Sequence, residues 1–226
     1  MEKMNDLNAL LQHEVQDLIS VEDQIIQAMP AMIEKAQNAA LKKALQDHLS
    51  VTEKQRTRLD KIQQLVSEPA KGNEGENKGF LSGLLEKLSP DKKCKGMEGI
   101  ITEGQNIMKA DMNAEVMDAA IIACAQKIEH YEICGYGTAK AYAAELEMKE
   151  AERLLDETLN EEYEADDLLT QLAVGNINEK AEAGANKKAG SSAPKAKKAA
   201  AKNAASAPKK AAKKAAPKKA AAKKSK

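Results

Sequence analysis

Apolar residues recur three or four positions apart over four long segments, and this spacing constrains the fold most. The segments are residues 5–36, 39–67, 114–145 and 148–174. Residues spaced in this way share one face of an α-helix, whereas a half-buried strand would alternate. Only 2% of the residues are aromatic, which favours helix over sheet. We therefore predict four long helices, with Pro30 as a kink in the first.

The connection between the second and third long segments is long enough to run the length of a helix bundle. It holds about 45 residues, of which 69–79 (PAKGNEGENKG) are typical of a loop, while 80–88 and 95–109 have the spacing of short helices. Bundles of the ferritin type need one such crossover. The predicted fold class is an all-α, ferritin-like four-helix bundle with a long helical crossover.

The composition changes completely after residue 183. Residues 184–226 contain no Leu, Ile, Val, Met or aromatic residue, so they have no means of forming a core. They hold 15 of the 35 basic residues and no acid, which leaves 20 basic against 35 acidic residues in the rest of the chain. We predict a helical bundle in residues 1–183 and a disordered basic tail, rich in lysine, alanine and proline, in residues 184–226.

The sequence argues against a membrane or secreted protein. No stretch approaches the roughly 18 apolar residues of a membrane-spanning helix, and the N-terminus lacks the apolar core of a signal peptide. The cysteines Cys94, Cys124 and Cys134 form neither a CxxC pair nor an even set, which fits a reducing compartment. We expect no membrane partner and a cytoplasmic location.

Ionisable residues lie on the apolar faces of the long helices. Projection at about 100° per residue places six of them inside: Glu22, His48, Glu129, Glu132, Glu162 and Asp166. Distances from the helix turns put Glu22, Thr52, Glu129 and Glu162 near the middle of the bundle, with His48 about one turn from Thr52. His130 instead projects toward a polar flank. We therefore predict that these six residues converge.

Buried carboxylates are costly unless they are paired or bound to a cation. In one interpretation, Arg56, tyrosine hydroxyls and shared protons neutralise the cluster. In the other, which we favour, the six residues bind two metal ions. Iron and manganese are the expected metals because the donor set is rich in oxygen, and no organic cofactor is indicated.

Five segments of the body resemble the YciE/YciF stress-protein family. They read DLISVEDQIIQAMP, HLSVTEKQRTRLD, CKGMEGIITEG, CAQKIEHYEICGYGTAKAYA and LLDETLNEEYEADDLLTQLAVGNINEKA, and the resemblance covers about residues 5–181. It implies a ferritin-like bundle, dimeric and present in the bacterial cytoplasm under stress. By this resemblance, Glu22, Glu129 and Glu162 match the acids of a ferritin-like metal centre.

The chain departs from the usual ferritin-like pattern at two positions. Centres of that type take Glu-x-x-His from two helices, whereas the second helix here has Thr52-x-x-Gln55. The fourth helix offers Glu162 with Asp166 and no histidine. His48, Glu132 and Asp166 are the residues that would compensate.

The tail resembles the C-terminal tails of linker histones and bacterial histone-like proteins. Its lysines would neutralise DNA phosphates and release counterions, without groups that read bases. The predicted DNA-binding residues are Lys195, Lys197, Lys198, Lys202, Lys209, Lys210, Lys213, Lys214, Lys218, Lys219, Lys223 and Lys224. A solvated tail, or one that folds back on the acidic body, is the alternative.

Three functions are compatible with these features. The first is a metal-binding stress protein that the tail anchors non-specifically to DNA, where it protects DNA from oxidative damage. The second is a non-catalytic, nucleoid-associated protein whose bundle only dimerises. The third is a peroxide-removing enzyme whose tail aids solubility. The sequence leaves the presence of enzymatic turnover open.

Overall fold

The computed structural model describes residues 4–67 and 93–189, with side chains described to residue 183. The described residues form six α-helices and one π-helical turn: α1 (Leu7–Lys35), α2 (Ala39–Ser67), α3 (Lys95–Ile107), α4 (Ala114–Glu145), α5 (Lys149–Leu172), the π-helix (Ala173–Ile177) and α6 (Asn178–Ala189). The predicted loop at 69–79, the predicted short helix at 80–88 and residues 190–226 of the predicted tail lie outside the described residues. Residues 184–189, which were also predicted as part of the disordered tail, instead form the end of α6.

Local side-chain hydrogen bonds determine where the long helices begin. Asp6 accepts a hydrogen bond from the Ala9 amide (2.7 Å), and Asn113 accepts one from the Val116 amide (2.8 Å). These N-caps satisfy amides that the first helical turn leaves without partners. The start of α2 is held from another helix, because the Asp118 carboxylate of α4 accepts from the amides of Gln37 (2.7 Å) and Asn38 (2.9 Å).

The four long helices pack as two antiparallel pairs. Short turns join α1 to α2 and α4 to α5, α1 packs against α4, and α2 packs against α5. The helix of the crossover, α3, packs on α4 and α1. The predicted four-helix bundle with a long helical crossover is therefore confirmed.

Pro30 does not end the first helix, and the fourth long helix is longer than expected. Pro30 lies within α1, which continues through it to Lys35. The fourth long helix, expected to end near residue 174, continues through the π-helix into α6. The buried Ile177 anchors this extension to the core, because a side chain removed from water there stabilises the added turns.

The core consists of two apolar clusters. The first contains Val21, Ile25, Leu41, Leu45, Ile121, Ile128 and Leu169 with their neighbours. The second contains Leu11, Val15, Leu18, Leu59, Ile62, Tyr136, Ala139 and Leu155 with theirs. Every long helix contributes to both clusters, so each helix passes from one to the other near its middle.

Candidate metal centre

A layer of buried polar residues lies where each long helix passes between the two apolar clusters. Its fully or almost fully buried members are Glu22 of α1, Thr52 and Gln55 of α2, Glu129 and Glu132 of α4, and Thr158 and Glu162 of α5. His48 of α2 joins them, with its side chain 11% exposed. The predicted convergence of acids from three helices and a histidine from the fourth is thus present.

Four side chains of this layer could hold one ion between them. One potential ligand atom from each of His48, Glu129, Glu132 and Glu162 lies within 4.8 Å of the others. The imidazole Nε2 of His48 is 3.3 Å from Glu129 Oε1 and 3.9 Å from Glu162 Oε2. We call these four residues, together with Glu22, the carboxylate cluster.

Glu22 is positioned by a tyrosine. The fully buried Tyr136 hydroxyl of α4 donates a short hydrogen bond to Glu22 Oε1. The other oxygen, Oε2, is buried without a hydrogen-bond partner. Glu22 therefore keeps one oxygen for a further ligand while the tyrosine fixes its orientation.

Glu162 is positioned by a chain of groups that leads to the surface. The Gln55 amide nitrogen donates to Glu162 Oε1 (2.6 Å) and to Glu161 Oε2 (3.1 Å). The Arg58 guanidinium in turn donates to both oxygens of Glu161, at 2.7 and 3.0 Å, and to Thr158 Oγ1 at 2.6 Å. Charge-assisted bonds of this kind hold a carboxylate firmly, so the orientation of Gln55 is indirectly fixed by Arg58.

Six buried polar atoms of this layer have no hydrogen-bond partner. They are Glu22 Oε2, His48 Nε2, Gln55 Oε1, Glu129 Oε2, Glu132 Oε1 and Glu162 Oε2. Buried polar atoms are almost always partnered, because desolvating them otherwise costs about 1–3 kcal/mol each. Six such atoms in one layer, five of them on carboxylates and an imidazole, fit the donor set of a bound cation.

Without a cation, burial forces protons onto the cluster. Desolvation raises the pKa of Glu22 from 4.5 to about 8, although the Tyr136 hydrogen bond opposes the shift. Desolvation and neighbouring carboxylates raise the pKa values of Glu132 and Glu162 well above the usual range. Burial lowers the pKa of His48, but the carboxylates of Glu129, Glu22 and Glu161 together outweigh burial, and the pKa is raised.

The structure does not bring Asp166 into the cluster. Its side chain is 21% exposed, and its Oδ1 accepts from Gln126 Nε2 (2.9 Å) and lies 3.3 Å from His130 Nε2. His130 is 68% exposed, in agreement with its predicted position on a polar flank. Asp166 therefore belongs to a surface contact between α4 and α5, contrary to its prediction as a ligand.

Arg56, the cation proposed to neutralise the acids, forms its ion pairs outside the cluster, although its charge still opposes the rise in the pKa of Glu22. Arg56 donates to Asp23 (2.8 Å) and Asp60 (2.5 Å) at the edge of the bundle. Glu103 of the crossover helix is exposed and paired with Lys127. Within residues 4–67 and 93–183, no lysine or arginine forms an ion pair with the four carboxylates of the cluster.

The roles of Tyr136, Gln55 and Arg58 were not predicted. Projection placed Tyr136 and Gln55 on inner faces, but their partners depend on the relative rotation and height of two helices. Arg58 carried no signal beyond its charge. The arrangement as a whole presents oxygen and nitrogen ligands in a buried site, which suits a divalent transition metal.

Comparison with known proteins agrees with the fold. The profile of a family described as a domain of unknown function, DUF892, matches residues 6–79 and 79–182. Protein YciF of Escherichia coli K12 is 37% identical over 179 residues, which cover 79% of this chain and 97% of that protein.

Solved structures of related proteins have the same fold as this chain. The E. coli stress protein YciF has a TM-score of 0.64 at 34% identity and covers 77% of this chain and 99% of its own. YcfI of Rhodopseudomonas palustris has a TM-score of 0.63 at 34% identity, with coverages of 75% and 96%. A protein of Xanthomonas campestris, 19% identical with a TM-score of 0.51, shares the fold. The chain therefore belongs to the DUF892 family and is a relative of the YciF stress protein.

Proposed function

We propose that this chain is a metal-binding stress protein with a two-metal centre for iron or manganese in the carboxylate cluster. The observation that carries the proposal is the set of six unpartnered polar atoms in one buried layer. The ligands would be Glu22, His48, Glu129, Glu132 and Glu162. Tyr136 and Gln55 would orient two of these carboxylates.

The charges of the cluster favour two divalent ions. Four carboxylates carry four negative charges when ionised, and two divalent cations with a neutral imidazole balance them. One divalent ion would leave two negative charges buried, which is costly in a low-dielectric interior. In the metal-free chain, protons would neutralise the acids instead, as the raised pKa values of Glu22, Glu132, Glu162 and His48 indicate.

Iron and manganese suit the donor set because four of the five ligands are carboxylates. Either metal would supply one-electron redox chemistry, with which the centre would consume ferrous iron or peroxide. The chain itself would bind the ions, keep Glu22 and Glu162 oriented, and exclude water with the two apolar clusters above and below the layer.

Metal analysis tests this proposal directly. Protein purified without chelator, and protein reconstituted anaerobically with Fe(II) or Mn(II), is expected to contain close to two ions per chain by elemental analysis. The variant with Glu22→Ala and Glu129→Ala should lose them. The matched control changes two exposed acids, Glu53→Ala and Glu164→Ala, and should retain them. Absence of stoichiometric metal in both preparations would contradict the proposal.

We further propose that the tail anchors the protein to DNA. Residues 184–226 carry 15 lysines and no acid, and the acidic body would repel a polyanion, so the tail must provide the attraction. Two tails of a homodimer would bind DNA at the nucleoid without sequence preference, and the metal centre would then act close to the DNA.

Replacing the twelve named tail lysines with glutamine tests the anchor in a chain of unchanged length. DNA retardation at low salt should disappear, while metal content stays the same. Full retardation by this variant would contradict the tail proposal. DNA binding without any metal would instead favour the nucleoid-associated alternative, in which the bundle only dimerises.

A further inference from the structure

A small cavity lies beside the carboxylate cluster, between α2 and α5. Its volume is about 20 Å³, which is enough for one water-sized molecule. Five aliphatic side chains line it: Ala44, Leu45, Ala165, Leu168 and Leu169. The other two lining residues, His48 and Glu129, belong to the cluster. The cavity therefore adjoins the cluster directly.

The cluster is most accessible on this side. The His48 side chain is 11% exposed, whereas Glu129 is 2% and Glu162 0% exposed. Leu168, which lines the cavity, is 44% exposed and is one of the few large apolar residues on the described surface. Leu168 is thus the most exposed of the five aliphatic side chains that line the cavity, and Ala44 and Ala165 are partly exposed beside it.

Both cluster residues that line the cavity have an unpartnered atom, His48 Nε2 and Glu129 Oε2. A metal held by these atoms would adjoin the cavity. The aliphatic lining would make an ion lose its hydration without compensation, and a hydrogen-bonding molecule would lose its bonds to water, whereas an apolar molecule would lose little. The chemistry of the lining therefore selects for apolar molecules.

We propose that this cavity is the access route by which a small apolar molecule, no larger than dioxygen, reaches the metal centre, with Leu168 as its most exposed lining residue. The inference rests on the proposed function, since the molecule would bind at the metal. The inference adds the class of molecule that would react at the metal, and the side of the cluster from which that molecule would arrive.

Nitric oxide is a suitable probe because it is small, uncharged and changes the optical spectrum of Fe(II) when it binds. Stopped-flow mixing with the anaerobic Fe(II)-loaded full chain should show slower association for Ala44→Val, by roughly tenfold, or about 1.4 kcal/mol in the barrier. Leu168→Ala should associate faster than the unmodified chain. Leu168 is half exposed, so this variant remains informative if Ala44→Val fails to fold.

Matched controls are available elsewhere in the bundle. Ala28 lines a separate cavity of about 10 Å³, formed with residues of α1, α3 and α4, and Ala28→Val should leave the rate unchanged. Val174 is 74% exposed, and Val174→Ala is the control for loss of an exposed aliphatic group. Iron content is measured for every variant. If both Ala44→Val and Leu168→Ala have normal iron content and unchanged association rates, the access route is overturned while the proposed metal centre stands.

A second measurement does not need metal. Dissolved dioxygen is paramagnetic and broadens the NMR signals of methyl groups that it approaches. In the metal-free full chain, the Ala44 and Ala165 methyl signals should broaden more than that of Ala28, and Ala44→Val should reduce the effect at Ala165. Equal broadening at all three methyl groups would overturn the access route, whereas a lack of stoichiometric iron would contradict the proposed function.

Discussion

The Gln55 amide nitrogen of α2 donates to Glu162 Oε1 of α5 over 2.6 Å, while the Gln55 amide oxygen has no hydrogen-bond partner. The amide thus joins two helices through its donor and leaves an acceptor inside the bundle. A buried acceptor without a partner is unfavourable beside a group of acids unless a proton or a cation is available to it. The hydrogen bond from Gln55 to Glu162 therefore stabilises the packing of α2 on α5. The unpartnered oxygen of the same amide belongs to the candidate metal centre.

Gln55→Ala is expected to destabilise the metal-free protein by about 1–3 kcal/mol, because Glu162 Oε1 loses its donor in a buried site. Chemical denaturation measures the change. Gln64 lies on the exposed side of the same helix, and Gln64→Ala should stay within about 0.5 kcal/mol. Equal effects of the two substitutions would show that the Gln55 contact does not contribute.

Tyr136→Phe is expected to cost about 1–3 kcal/mol, and more at pH 9 than at pH 6. The tyrosine hydroxyl donates to Glu22, whose pKa is raised to about 8, so the carboxylate that needs the donor exists mainly above that pH. Denaturation of the metal-free protein at both pH values tests this. Tyr163→Phe, at a 51% exposed position, is the control and should change stability at neither pH.

The metal-free protein should become less stable as the pH rises from about 5 to 8. The Glu22 carboxyl keeps its proton up to about pH 8 when folded but loses it near 4.5 when unfolded, and the pKa values of Glu132 and Glu162 are raised in the same direction. The raised pKa of His48 acts with the same sign. The folded state thus binds more protons, and stability falls by about 1.4 kcal/mol per pH unit for each retained proton.

Denaturation midpoints in chelator across this pH range test the trend. Glu22→Gln, which cannot ionise, should make the slope shallower. A stability that increases over the same range would contradict protonation of the cluster.

Adding Mn(II) should reverse this trend. A ligand that binds only the folded state stabilises it by about 2.7 kcal/mol at a concentration one hundred times its dissociation constant. Because metal competes with protons for the carboxylates, the gain should be larger at pH 8 than at pH 6. Thermal unfolding with Mn(II) and with chelator measures the difference. Identical transitions at pH 8 would mean that the cluster does not bind this ion.

Asp118→Ala should destabilise the fold by about 1–3 kcal/mol, because two backbone amides at a part-buried position lose their acceptor. Its buried carboxylate accepts from the amides of Gln37 and Asn38, and so ties the start of α2 to α4. Asp167→Ala changes an exposed acid of α5 and serves as the control. Denaturation of the metal-free protein should separate the two variants.

The sequence predicted the helices and most of the cluster because both depend on the position of a residue around its own helix axis. Helical spacing is enough to place Glu22, Glu129 and Glu162 inside. It failed for Asp166, which follows Glu162 by one turn and is rotated by about 40°. That rotation carries Asp166 from the inner face to the contact between α4 and α5.

The remaining errors concern relations between helices. Arg56 projects inward at its Cα, but its long side chain reaches outward to Asp23 and Asp60, as flexible cationic side chains commonly do. The bond between Tyr136 and Glu22 requires that α4 and α1 meet at one height with one rotation. Neither relation is encoded in the spacing of residues along a single helix.

The polar layer also has a consequence for how the bundle unfolds. It separates the two apolar clusters, so without a cation each half of the bundle is held mainly by its own packing. Amide hydrogen exchange in the metal-free chain should then show two levels of protection, one for each half. Cations held by the cluster, whose residues come from all four long helices, would couple the halves into a single cooperative unit. The centre would therefore govern the cooperativity of the fold as well as its chemistry.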